Sequence, residues 1–279
     1  MKETQTPSLS QDQQGEIISY AGFHSIISGV NPQWEYGGFA LPDGSFWRYR
    51  EPDAVVIVEA DRMRVRLGKI TRCNNQVQVL DNVKNMFFST RKFVPPDDGE
   101  ISFEWDMTAS CNGTRPHDLY DGFISVNLLD FHSGMALDFF ACNDVIATVY
   151  ARLPFPGAHA PDDPENAVKP KYFSDFNELP IETIPRQTHR YGISYAKNKD
   201  EVRFFADGQE VGVYTEVPSK IHSLVIALGL MTEKGIEQGK SVSVHGQGLT
   251  GEWGPFTIRS RMSTGEHKAS PLLWTENEQ

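Results

Sequence analysis

Hydrophobic and polar residues alternate with a period of two along much of this chain, and a 3.6-residue period is almost nowhere to be found. The pattern predicts strands rather than helices. Val55 to Ala60 reads as an apolar strand, and Arg62 to Leu67 sets three arginines against Met63, Val65 and Leu67, so its two faces differ in character. Gln76 to Leu80 alternates in the same way, and Met86 to Phe93 is a more aromatic strand closed by Pro95-Pro96-Asp97-Asp98-Gly99. The clearest alternation is Ile101 to Met107: Ile101, Phe103, Trp105 and Met107 share one face, Ser102, Glu104 and Asp106 the other.

Further strands are read at Phe123 to Leu129, Met135 to Phe140 and Val145 to Ala151, the first two forming a hairpin across residues 130–134. A second meander covers Arg190 to Tyr195, Glu201 to Ala206 and Glu210 to Tyr214, with Asp207-Gly208 as a hairpin turn. Ser223 to Leu230, Ser241 to Gly246 and Phe256 to Arg259 complete the set. Many short strands without crossover helices specify an all-β fold, a two-sheet antiparallel jelly-roll sandwich. Residues 15–259 read as one domain between a disordered tail at 1–14 and a C-terminal tail at 260–279. Within that domain, 153–189, rich in proline, aspartate and aromatics, reads as a long loop or flap.

The run Arg190 to Tyr195 followed by Val202 to Val211, with its Asp-Gly turn, resembles the strand–strand–turn–strand unit of concanavalin A-like lectins and glucanases. Phe46 to Val55, Gln76 to Lys84 and Gln247 to Gly251 are similar to a bacterial domain family of unknown function, and the similarity runs across most of residues 34–253. The resemblance implies the concanavalin A-like jelly roll and a single domain. It names no activity.

Charge narrows the partners. With 37 acidic against 26 basic residues, the net charge of −11 repels phosphate backbones and anionic bilayers, which argues against nucleic acid and membrane. Residues 1–15 are polar and hold no apolar h-region, and Cys73, Cys111 and Cys142 lie far apart without paired spacing. Both features fit reduced thiols and a cytoplasmic location. No dinucleotide, phosphate-loop, serine-elbow or zincin motif occurs, and His117-Asp118-Leu119-Tyr120-Asp121 lacks a recognised ligand spacing. Neither a cofactor nor a metal is therefore expected.

Candidate chemistry rests on carboxylates. Glu104 and Asp106 lie two apart on one strand, with Cα atoms about 7 Å apart at ~3.3 Å per residue. That spacing is compatible with the acid pair of a glycosidase. Glucanases of the superfamily carry three acids along such a strand, and here Ala109 and Ser110 follow in place of a third. Asp138 stands among apolar residues, as an acid does at a cleft or beside a partner. Whether it shares a face with Asn127 turns on the register of the 130–134 hairpin. Glu104, Asp106 and Asp138 are thus the catalytic candidates, with Asn127, Arg152, Lys84 and His132 as ligand-binding candidates. Arg152 and Lys84 would orient an anionic group, and His132 sits two residues from Asp130 as a base with its orienting acid.

These features predict an intracellular jelly roll that binds a small organic metabolite in a concave acid-bearing cleft, with an acid–base enzyme of a biosynthetic pathway as its catalytic form. Two alternatives stand beside it. One is a carbohydrate-active enzyme or lectin of concanavalin type, with Trp105 or Trp253 stacking on a saccharide. The other is a non-catalytic interaction module that uses 153–189 as its contact surface.

Overall fold

A computed structural model describes residues 15–41, 43–72, 84–155, 172–234, 236–237 and 240–263. Two antiparallel sheets dominate. The first contains β1 (Glu16–Tyr20), β5 (Val55–Glu59), β6 (Arg62–Leu67), β8 (Gly99–Asn112), β13 (Thr188–Ala196), β14 (Glu201–Ala206), β15 (Gln209–Thr215), β19 (Gly248–Trp253) and β20 (Phe256–Met262). The second contains β2 (Trp34–Tyr36), β7 (Lys84–Ser89), β9 (Phe123–Leu129), β10 (Met135–Ala141), β11 (Ile146–Arg152), β12 (Phe173–Glu178) and β16 (Val225–Met231). Two small hairpins, β3 (Gly38–Ala40) with β4 (Phe46–Arg48) and β17 (Ile236–Glu237) with β18 (Lys240–Ser241), and the short helix α1 (His24–Ser28) stand outside them. The fold is the concanavalin A-like jelly-roll sandwich.

The first sheet runs β15-β14-β13-β8-β19-β6-β5. Its long strand β8 pairs with β19 along residues 107–112 and with β20 along residues 99–104, so two successive strands share one neighbour across the Gly254-Pro255 corner. The second sheet runs β12-β11-β10-β9-β16-β7-β2. Between the sheets, Trp105 of β8 lies 5.4 Å from Phe256, 5.9 Å from Phe139 and 6.0 Å from Tyr191 by ring centroid. Aromatic packing of this kind supplies much of a sandwich core. The faces of β8 are those that its alternation predicts: Ile101, Phe103, Trp105 and Met107 are buried in the core.

Several expectations shift. The central strand β19 takes the place of a strand over Ser241 to Gly246. It carries two glycines, which weaken a strand signal, yet Gly251 is required there: a Cβ would lie 2.7 Å from Ile124 of the opposite sheet and 2.7 Å from the Trp253 ring. The strand read at Met86 to Phe93 is β7, which stops at Ser89, and Phe93 forms only a bridge to Leu224. The segment 153–189, expected as a loop, contains β12, an edge strand paired with β11. Its Ser, Asp, Asn and Glu residues are depleted in strands and masked it. The strand read at Gln76 to Leu80, and Cys73, lie outside the described residues.

Candidate functional site

The orientation of β10 decides where the site lies. Phe139 packs 5.9 Å from Trp105, 4.8 Å from Tyr191 and 5.6 Å from Phe204, all of the first sheet. Phe139 therefore faces the core, and Asp138 beside it faces away from the first sheet. The hairpin register pairs Asp138 with Asn127 on one side and with Val149 on the other. Following the pairing across the sheet gives one transverse row on its outer face: Glu35, Phe88, Ala227, Asn127, Asp138, Val149 and Phe176. Its middle is small and polar, and an aromatic ring lies towards each end.

Both rings belong to larger clusters. Phe88 lies 5.8 Å from Phe131, which lies 5.1 Å from Phe155. At the other end Phe176 of β12 is 5.3 Å from Tyr120. Tyr120 sits in a single 3-10 turn, Leu119–Asp121. The turn is pinned by the buried Asp121, whose carboxylate accepts the Arg115 N–H at 2.8 Å and lies 3.0 Å from His245 Nε2. Backbone pairing then brings in a second acid. The Glu233 N–H donates to Tyr120 O at 3.0 Å, and the Glu233 carboxylate accepts from Lys84 Nζ at 3.0 Å. Lys84 lies on the same outer face, opposite Met231 in the β7–β16 ladder.

Asp138 is 4% exposed, and its Oδ1 has no hydrogen-bond partner among the described residues. Burial lifts its carboxyl well above the usual carboxylate range, and the nearby Glu233 charge adds to the rise while Lys84 partly offsets it. Such a group keeps its proton to higher pH than an ordinary carboxyl and, while protonated, can donate a hydrogen bond. Asn127 is committed on its amide side, donating from Nδ2 to Ser125 Oγ at 2.9 Å and to Ala227 O at 3.3 Å. Burial, together with Glu233 and Glu178, also raises the Tyr120 phenol, so it remains a neutral donor.

The sequence candidates divide between two places. Asn127, Asp138 and Lys84 share this face. Glu104 and Asp106 do not: they project from the outer face of the first sheet, on the other side of the core, because β8 and β10 lie in different sheets and each turns its apolar face inward. Glu104 is buried at 4% exposure between Arg190, at 2.9 Å, and Arg259. Asp106 is 40% exposed and lies 3.8 Å from Arg62. The expected meeting of Glu104, Asp106, Asn127 and Asp138 in one cleft therefore does not occur.

The remaining candidates, Arg152 and His132, lie at the 130–134 turn. Arg152 lies opposite Met135 on the inner phase of β11 and donates from Nε to Ser133 O at 3.0 Å, which closes the 130–134 turn. His132 is exposed on that turn, with its ring 4.3 Å from that of His222. The Asp130 carboxylate accepts from the His132 N–H at 3.0 Å, the His222 N–H at 2.8 Å and the Ser133 hydroxyl at 2.8 Å, so it orders backbone at the turn. Trp105 and Trp253 are 2% and 0% exposed, so neither offers a stacking surface. Glu233 and Tyr120 carried no sequence signal of their own, since each reaches the face through a loop. Among the described residues no group of three or more His, Cys, Asp or Glu is placed to hold a metal ion, and no helix is long and apolar enough to cross a membrane.

Comparison with solved structures gives likenesses of fold. LamA from Z. galactanivorans, solved in complex with laminaritriose and laminaritetraose, is 11% identical, with a TM-score of 0.51, over 82% of this chain and 92% of that one. The Bacillus licheniformis beta-glucanase is 11% identical over 90% of this chain and 100% of that one, with a TM-score of 0.48. A sialidase matches 83% of this chain but only 17% of its own length, at 10% identity and a TM-score of 0.47. None of the curated proteins matches the sequence. The family is shown by the sequence itself: residues 23–262 match the model described as a family of unknown function, DUF6081, and the chain belongs to that family.

Proposed function

We propose that the outer face of the second sheet binds a saccharide, making this a carbohydrate-active jelly roll. The observation that carries the reading is Asp138, a buried acid whose Oδ1 has no hydrogen-bond partner among the described residues, in the middle of a row flanked by aromatic clusters. Leaving such a group unpaired costs about 1–3 kcal/mol, a penalty that a ligand hydroxyl accepting its proton would relieve. Sugar rings present hydroxyls at their edges and C–H groups on their faces. Tyr120 and Phe176 suit the latter and Asp138 and Asn127 the former.

The same residues would accept other small polar molecules, which is the metabolite reading of the sequence. Fold-level analogy to LamA, with its bound laminaritriose and laminaritetraose, weights the choice towards a sugar. In a catalytic version, Asp138 would hold the proton to be donated and Glu233, paired with Lys84, would be the second carboxylate.

Titrating the protein with a panel of neutral and acidic oligosaccharides, followed by NMR, tests this. Binding is expected for at least one member. Asp138→Ala and Tyr120→Ala should each weaken it about tenfold, by loss of a hydrogen bond or a stacking surface worth roughly 1.4 kcal/mol. Asp106→Asn, on the opposite sheet, should leave it unchanged. A panel blank throughout, or binding indifferent to Asp138→Ala, overturns the reading.

A further inference from the structure

The first sheet ends on β5, and among the described residues no strand lies beyond it. Its sequence, Val-Val-Ile-Val-Glu, has no proline and no lysine, and its pairing with β6 is regular, without a bulge. Those are the devices that normally keep an edge strand from pairing with another chain. Val56 and Val58 pack against the core, whereas Val55 and Ile57 stand 51% and 40% exposed on the outer face. A strand apolar on both sides, with a backbone edge that no described strand covers, is a template for strand addition.

The geometry points to β5 as the docking site for a second copy of this chain, with the two strands pairing antiparallel about a two-fold axis at Ile57. That register is self-complementary, as a two-fold interface requires. Val56 of each copy lies opposite Val58 of the other and extends the core, Ile57 meets Ile57, and Val55 faces Glu59. Charge supports the same register. Arg62 and Arg64 share the Glu252 carboxylate and Arg62 also lies 3.8 Å from Asp106, whereas Glu59 acts on Arg64 only through its charge, and neither Arg66 nor Glu59 forms a close ion pair among the described residues. In the β5–β6 ladder Arg66 sits beside Val55. Glu59 of the second copy, opposite Val55, is therefore two strand spacings, or about 10 Å, from Arg66, within reach of a long side chain crossing over the short valine. The contact occurs twice by symmetry. Five paired residues bury less than the ~1,200 Å² of a standard interface, so the dimer is reversible and depends on concentration.

Sedimentation velocity of the full chain over a wide concentration range tests this. The mass should rise from the monomer's 31.4 kDa towards twice that value. Ile57→Lys sets two ammonium groups on the axis at an exposed position and should hold the protein monomeric throughout with its thermal midpoint unchanged. Glu59→Arg and Arg66→Glu should each weaken dimerisation about fivefold, and the double variant should restore it. A wild-type protein that stays monomeric, a dimer that survives Ile57→Lys, or charge reversals that have no effect or fail to compensate, each overturn the assignment.

Discussion

The two outer faces of this sandwich are built from the same alternating strands and treat charge in opposite ways. On the first sheet, charges are numerous and paired: Glu104 lies between Arg190 and Arg259, Glu252 holds Arg62 and Arg64, and Arg203 holds Glu201 and Glu210. On the second, the central strands β9, β10 and β11 are buried on both faces, and Oδ1 of the central acid, Asp138, has no hydrogen-bond partner among the described residues. A paired charge network satisfies itself and asks nothing of a ligand. An unpaired buried acid leaves an interaction open, and that difference, more than the number of acids, separates a structural face from a candidate site.

The largest effect expected from breaking this contrast is at Glu104. Glu104→Ala removes the buried partner of two guanidinium groups and should cost about 3 kcal/mol in urea unfolding. That is the low end for buried ion pairs, because Arg190 and Arg259 are 39% and 21% exposed. Saccharide binding should be untouched. A loss of binding without a loss of stability would move the site to the first sheet.

Asp138→Asn sharpens the other side. Because the folded carboxyl titrates above its unfolded value near 3.8, the native state holds its proton where the unfolded chain has released it. The wild type therefore loses stability as pH rises from about 4 towards the raised folded value, beyond which the loss is constant. Asparagine carries no such slope. The thermal midpoint of the variant minus that of the wild type should grow across this range, and a difference independent of pH would show that Asp138 is not raised. Two neighbours give opposite signs in a carboxyl NMR titration: Lys84→Met should move the Asp138 midpoint further up, and Glu233→Gln should move it down.

The smallest effect belongs to Asp106. Its pair with Arg62 is long and exposed on both sides. Asp106→Asn should change stability by less than about 0.5 kcal/mol, measured by urea unfolding beside Glu104→Ala. The two acids sit two residues apart on one strand and one face, yet differ because two arginines enclose only the first.

Local pattern was enough for much of this protein. Alternation located the strands around Trp105, Val126, Phe139 and Phe204, and assigned Glu104 and Asp106 to a face away from the core. The 130–134 turn left open the register that brings Asp138 beside Asn127, which the β9–β10 pairing supplies. Strands and their faces are properties of neighbouring residues, since side chains two apart share a face whichever sheet the strand joins. Which sheet receives a strand is a different matter, settled by contacts far apart in sequence. The separation of Glu104 from Asp138 by the whole core depends on it. So does the arrival of Glu233 and Tyr120 beside Asp138, which is made by a loop–loop hydrogen bond and a turn pinned by Asp121. The glycine-bearing strand β19 was hidden for the same reason. Gly251 is there because Ile124, from the opposite sheet, occupies the space that a side chain would need, and that requirement exists only once the sheets have met.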